Sequence, residues 1–254
     1  MTHISIIGAG NMGTAIAKGL VSKKLVNNEQ VTLTTSATKN NTEAVEKADV
    51  VIFAVKPQQL ANVLQEVKGY TRTQQLFVSI AAGATLHSLE DILGKDMHIV
   101  RAMPNLAAKV SESTTVWVAN TKVTEEEKKY VIKMFSSIGE EIELEKESQI
   151  DMVTVISGSG PAYFFYLVEL LEKAGDHFGL PKDMVKRIAK QTLIGSAELF
   201  KNSKENSNDF RMQVTSKGGV TASAFEKFEK GNFAKLFEEG LLAAYHRAKQ
   251  LNIE

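Results

Sequence analysis

Apolar and polar positions follow two rhythms along this chain, and the change falls near Glu147. Before it, short β-branched runs predict strands at Ile4–Ile7, Val31–Thr35, Val50–Val55, Leu76–Ser79, His98–Arg101, Thr114–Val118 and Glu141–Leu144. Helical spacing between them predicts helices over Met12–Ser22, Pro57–Val67, Leu86–Leu93 and Thr124–Ser137. Thr124 heads the last as an N-cap, with Glu127 placed to close a capping box. Strand and helix in alternation imply an α/β layer on a mainly parallel sheet.

After Glu147 the strand signal stops. Helices are expected over Ser148–Ser157, Ala162–Phe178, Lys182–Asn202, Ala222–Lys230 and Phe233–Leu251, with breaks at Gly158–Pro161, Gly179–Pro181, Lys217–Gly219 and Gly231–Asn232. Pro161 is expected at the first position of its helix. The stretch from Ala162 to Leu171 is apolar nearly all round, with Tyr163, Phe164, Phe165 and Tyr166 consecutive. Such a helix needs cover on more than one side, as a central core helix or as an oligomer interface. The expected architecture is thus α/β followed by all-α, with domains at 1–147 and 148–254.

Composition narrows the chemistry. Thirty Lys and Arg balance thirty Asp and Glu, so no global charge draws the chain to nucleic acid or an anionic membrane. The absence of cysteine excludes disulfides, thiolate catalysis and Cys-ligated metal. His3, His87, His98, His177 and His246 show no metal-ligand spacing, so no metal is expected. The longest apolar runs, Val50–Val55 and Ala162–Val168, fall far short of the ~20 residues of a membrane span. Met1-Thr2-His3 carries no basic region of a signal peptide, and a soluble cytoplasmic protein is the expectation.

Gly8-Ala9-Gly10-Asn11-Met12-Gly13 is a GxGxxG motif between an apolar strand and an Ala-rich helix, the context a dinucleotide fingerprint requires. Gly8 permits the tight turn, Gly10 the close approach of the pyrophosphate, and Gly13 close helix–strand packing. The free N–H groups and positive dipole end of the following helix face the phosphates. The sheet domain is therefore read as Rossmann-like and doubly wound. Enzymes that take NAD usually place an acid ~20 residues on, at the ribose hydroxyl. Here that region reads Thr34-Thr35-Ser36-Ala37-Thr38-Lys39 without an acid. Ser36 and Lys39 suit a 2′-phosphate, which favours NADPH with NADH as the alternative. Further cofactor contacts are expected where strands end in Ala54-Val55-Lys56-Pro57 and Met103-Pro104-Asn105.

Together with Ser157-Gly158-Ser159-Gly160-Pro161-Ala162-Tyr163 and Val214-Thr215-Ser216-Lys217-Gly218-Gly219-Val220-Thr221, these segments resemble the pyrroline-5-carboxylate reductase family. The matching segments occur in family order and span nearly the whole chain. The resemblance implies NAD(P)H-dependent reduction of a cyclic imino acid to L-proline, with direct hydride transfer to the imine carbon. It also implies a C-terminal helical dimerisation domain, a homodimer or ring of dimers, and an active site where cofactor domain and dimer core meet. Ser216, Gly218, Gly219 and Val220 would then receive the substrate carboxylate, the Gly-Gly pair acting as a backbone anion nest. Thr221 would reach the imine nitrogen as the catalytic residue, or cap the helix from Ala222. Asn41 matches a family cofactor contact.

Three departures stand out. Lys217 and Val220 replace a proline and a threonine of the family's Ser-Pro-Gly-Gly-Thr-Thr loop. Leu106-Ala107 replaces Thr-Pro, and Ser111 and Ser113 replace glycines. The step from Thr35 to Asp49 is only fourteen residues, so most of one helix and its strand are expected to be missing. A nucleotide-binding homologue without turnover, acting as a regulatory or structural oligomer, is the alternative reading. Tyr245-x-x-x-Lys249 matches a short-chain dehydrogenase pair, but it lies in the last helix, where chance explains it better.

Overall fold

In a computed structural model, which describes residues 2–35 and 40–251, the chain forms two compact units. The first comprises Met1–Pro161 with Ala244–Glu254, and the second comprises Ala162–Ala243.

The first unit carries a seven-stranded sheet: β1 (Ile4–Ile7), β2 (Val31–Thr34), β3 (Val50–Phe53), β4 (Leu76–Ser79), β5 (His98–Met103), β6 (Ser113–Ala119) and β7 (Gly139–Glu143). Its order is β2-β1-β3-β4-β5-β6-β7, parallel except for the antiparallel pair of β5 and β6. The first helices are α1 (Asn11–Ser22), α2 (Asn41–Lys47), α3 (Pro57–Val67), α4 (Leu86–Leu93) and α5 (Glu125–Ser136). Side-chain alternation sorts the strands between two cores. Ile4, Ile6, Ile52 and Val78 meet Ile16 and Leu20 of α1 and Phe135 of α5 on one face. Ile7, Val51, Phe53 and Phe77 meet Val45 of α2, Leu60 and Leu64 of α3 and Leu89 of α4 on the other. The sheet is doubly wound, as expected.

Strand and helix positions follow the sequence reading to within a few residues at each end. Thr124 caps α5, and Glu127 closes the capping box. The short Thr35–Asp49 step also resolves. No strand lies beyond β2 among the described residues, so β2 is an edge and the expected loss of a strand holds. The helix survives as the seven residues of α2, which link β2 directly to β3 on the far side of β1. Two turns are too few to satisfy a helix's own carbonyls. Gln75 Nε2, almost fully buried, donates to the carbonyls of Val45 (2.6 Å) and Ala48 (2.7 Å). The Arg72 guanidinium donates to those of Glu46 and Ala48.

After β7 the chain enters α6 (Ser148–Val153), a π-helical turn (Thr154–Gly158) and α7 (Gly160–His177). The break expected at Gly158–Pro161 is filled by this turn, closed by Ser159 N–H donating five residues back to Thr154 O (2.9 Å). Pro161 is therefore the second residue of α7, not the first. The second unit holds most of α7 together with α8 (Lys182–Lys201), α9 (Ser207–Gln213), α10 (Val220–Lys230) and much of α11 (Phe233–Gln250). No expectation covered α9, whose Asn206 side chain accepts from Asp209 N (3.1 Å). On α7, Phe164, Phe165, Tyr166 and Leu171 are more than half exposed in the single chain. That removes the central-core reading of this helix.

Gln75→Leu keeps side-chain volume but takes a buried donor away from two carbonyls at the end of α2. We expect it to lower unfolding free energy by about 2 kcal/mol, read as an earlier urea midpoint at unchanged m-value. A change under about 0.5 kcal/mol would show that α2 does not depend on this cap.

Candidate active site

The parallel register aligns Thr34, Ile7, Phe53, Ser79 and Arg101 across one end of the sheet. The loops after β1 to β5 therefore leave from a common edge. The chain runs from β1 outward to β2 and returns past β1 to β3, so β1 and β3 flank the topological switch point. In doubly wound sheets ligands bind in the crevice at that point.

The glycine loop lies there. Gly8 has φ +115°, and a Cβ on it would stand 2.8 Å from the Ala54 carbonyl and 3.0 Å from Val55 N. A Cβ on Gly13 would lie 2.1 Å from Gly8 O. Gly10, by contrast, has no atom within 4 Å of its Cβ position. The three glycines thus divide as expected: two close the turn on itself and on β3, and one leaves an open approach. Gly10 caps α1 with no side-chain hydrogen bond, and the first turn, which includes Asn11 and Met12, contains no acid. This cradle of bare amides fits a pyrophosphate.

Other expected contacts share the edge. Ala54, Val55 and the exposed Lys56 follow β3, with Pro57 opening α3. Met103 ends β5, and Pro104 and Asn105 follow it. Asn41, the first residue of α2, accepts from Thr34 Oγ1 (2.8 Å) and donates to Glu66 Oε2 (3.1 Å). Ser36 and Lys39 lie outside the described residues.

Two parts of this edge carried no functional reading in the sequence. The loop after β4, Ile80-Ala81-Ala82-Gly83-Ala84, has Gly83 at φ +78°. Ala81, Ala82 and Gly83 line a cavity of about 40 Å³ with Arg101, Met103, Asp151 and Thr154, room for about one water. A run of small residues directly after a strand was the available signal. The second is Arg101, buried within β5. It donates to Glu147 Oε1 (2.9 Å) and Asp151 Oδ1 (2.8 Å), and Glu147 Oε1 also accepts from Leu86 N (2.7 Å) at the start of α4. This network fixes α6 to the sheet edge.

The expected substrate loop belongs to the second unit. Gly218 has φ +72°, and Gly219 N–H donates to Ser216 O (3.0 Å), closing a turn. A Cβ on Gly219 would meet Ser216 Oγ at 2.5 Å, so the serine hydroxyl sits against the bare glycine. The first N–H committed within α10 is that of Ser223, to Gly219 O (3.1 Å). Helix geometry therefore leaves the amides of Val220, Thr221 and Ala222 pointing out of the helix end. Gly219, not Thr221, occupies the cap position. Thr221 is the second helical residue, and its hydroxyl has no hydrogen-bond partner among the described residues. Val220 is 92% exposed. The Tyr245–Lys249 pair is a contact along α11, with Lys249 Nζ 4.7 Å from the Tyr245 ring centre.

A bare-glycine turn at the switch point of a doubly wound sheet, followed by a helical unit, defines a dinucleotide-dependent oxidoreductase. Comparison with known proteins makes this particular. Residues 147–251 match the family model described as pyrroline-5-carboxylate reductase dimerisation. Residues 3–83 match one described as NADP oxidoreductase, coenzyme F420-dependent. The chain is 35% identical to the pyrroline-5-carboxylate reductase of Pseudomonas aeruginosa, over 98% of this chain and 96% of that protein. It is 32% identical to the enzyme of Arabidopsis thaliana, over 98% and 95%. Among solved structures it resembles Plasmodium falciparum pyrroline carboxylate reductase with NADP bound: TM-score 0.90, 31% identity, 99% of this chain and 98% of that one. The chain belongs to the pyrroline-5-carboxylate reductase family.

The glycines separate folding from binding. Gly10→Ala adds its methyl to open space, so the melting temperature should hold while NADPH affinity falls at least about tenfold by titration. Gly13→Ala should instead lower the melting temperature. Equal affinity in Gly10→Ala and wild type would place the phosphates elsewhere.

Proposed function

We infer that this chain reduces 1-pyrroline-5-carboxylate to L-proline with NADPH. The carrying observation is near-full-length similarity to pyrroline-5-carboxylate reductases, joined to a crevice whose glycines leave open the approach such a cofactor needs. The bare amides at Gly10–Gly13 hold the pyrophosphate. Asn41, with Ser36 and Lys39, receives the adenosine side, and the lack of an acid after β2 leaves the 2′-phosphate unopposed. Ala54–Pro57 and Met103–Asn105 line the path toward the nicotinamide. When bound, the reduced cofactor supplies the hydride for the imine carbon.

The protein's own tasks are orientation and charge. Ser216, Gly218, Gly219 and Val220 bind the substrate carboxylate, the free amides at the start of α10 serving as donors. Thr221 Oγ1 holds the ring nitrogen and keeps its proton in place, which makes the carbon more electrophilic. The Thr221 hydroxyl, without a hydrogen-bond partner among the described residues, and its place in the first turn of an amide-rich helix end support that role.

The functional domains are 1–147 and 148–254, a division supported by the dimerisation model starting at residue 147. The exposed aromatic face of α7 supports a homodimer, or a ring of dimers, built through the helical part. No described helix is long and apolar enough to cross a membrane. A cytoplasmic enzyme is the reading this composition favours.

Pure protein given NADPH and pyrroline-5-carboxylate should lose NADPH absorbance and form proline. Thr221→Ala should lower kcat/KM by roughly 10²-fold with folding intact. Tight NADPH binding without oxidation would favour a homologue that has lost turnover. Full kcat/KM in Thr221→Ala would remove Thr221 from the chemistry.

A further inference from the structure

The turn after β5 carries more restraint than a cofactor-lining loop needs. Asn105 is tied at four points, all within the first unit. Its N–H donates to Ser113 Oγ (3.0 Å), and its side-chain oxygen accepts from Ala107 N (3.1 Å). Its carbonyl accepts from Ala108 N (3.1 Å), and its Nδ2 donates to Ser157 Oγ (3.1 Å). Ser157 passes the tie on, donating to the Thr114 carbonyl on β6 (3.4 Å). Ser113, at the start of β6, thus adds a side-chain acceptor to the same residue.

Ser157 lies inside the π turn. A wider turn in a helix costs backbone geometry, and such turns recur at functional positions. Here its effect is local and visible. It presents the Ser157 hydroxyl to Asn105, and it brings bare Gly158 against Met103. A Cβ on Gly158 would stand 3.3 Å from Met103 Cε and from Thr154 Cγ2. Both ends of the Met103-Pro104-Asn105 turn therefore rest on the π segment.

We propose that Ser157 is a positioning residue, which sets the Met103–Asn105 turn against the nicotinamide end of the cofactor through Asn105. The proposal rests on the dinucleotide reading of the crevice. The pyrophosphate cradle at β1 and β3 fixes where the cofactor binds. The turn after β5 lies two strands further along the same edge, on the side away from β2 and Asn41. Loosening it leaves the phosphates in place and lets the reactive ring wander. Ring placement, not affinity, is what Ser157 controls.

The test compares wild type, Ser157→Ala and Ser157→Thr as intact oligomers. Two measurements are made: NADPH titration followed by nicotinamide fluorescence, and steady-state kinetics with pyrroline-5-carboxylate. Ser157→Ala should lower kcat about tenfold and reduce the fluorescence enhancement of bound NADPH, while its dissociation constant stays within about twofold of wild type. Ser157→Thr keeps the hydroxyl and should restore both signals. The proposal is overturned if Ser157→Ala leaves kcat and fluorescence unchanged. It is also overturned if the variant weakens NADPH affinity as much as it lowers kcat, or if threonine fails to rescue. Should wild type bind NADPH without turnover, the reductase reading falls and the fluorescence arm still decides the role of Ser157.

Discussion

The first unit depends on one close approach: the β1–α1 turn lies directly on the end of β3. Three backbone segments meet there without room for a side chain, since Cβ atoms on Gly8 and Gly13 would fall within 2.8 Å of the Ala54 carbonyl and 2.1 Å of Gly8 O respectively. That contact seats the N-terminus of α1 over the switch point between β1 and β3. It aims a ring of uncommitted amides into the crevice, next to the only glycine of the three whose Cβ position is open. The fold and the proposed anion site share one constraint.

The sheet tolerates an economy nearby. Among the described residues between β2 and β3 the chain makes two helical turns and no further strand, and β2 lies at the edge of the sheet. A helix so short is held by donors from elsewhere. Gln75 and Arg72, both just before β4, cover its last carbonyls, while Ser5 Oγ donates to Ala44 O (2.7 Å) from β1. On the proposed adenosine side of the crevice Asn41 is bound to Thr34 and Glu66. The elements after β5 are tied more heavily. Arg101 bridges to Glu147 and Asp151, and Ser157 and Ser113 hold Asn105.

Much of this was legible in the residues because local rules and tertiary demands agree. Short β-branched runs of four to six residues marked the strands, the Thr124–Glu127 pair marked the start of α5, and the glycine spacing marked the switch-point turn. What escaped has physical reasons. The π turn at Thr154–Gly158 was hidden because Gly158 also read as the start of a helix break, and a bond from residue 159 back to 154 leaves no periodic signature. The helix α9 is seven residues long and mostly polar, too short for a helical period to show. The cap of α10 is Gly219, two positions before the threonine that a cap would favour. Arg101 could be seen in a motif, but its carboxylate partners lie 46 and 50 residues away, beyond any local pattern.

The crevice is proposed to deliver a hydride from NADPH to the carbon of a cyclic imine. The most direct measurement supplies pyrroline-5-carboxylate with NADPH deuterated at nicotinamide C4, in separate runs for each face, and reads the proline by mass spectrometry. The account predicts proline carrying one deuterium on the former imine carbon from one of the two labelled faces, with unlabelled proline from the other. Absence of proline, or proline without deuterium from either face, would contradict it.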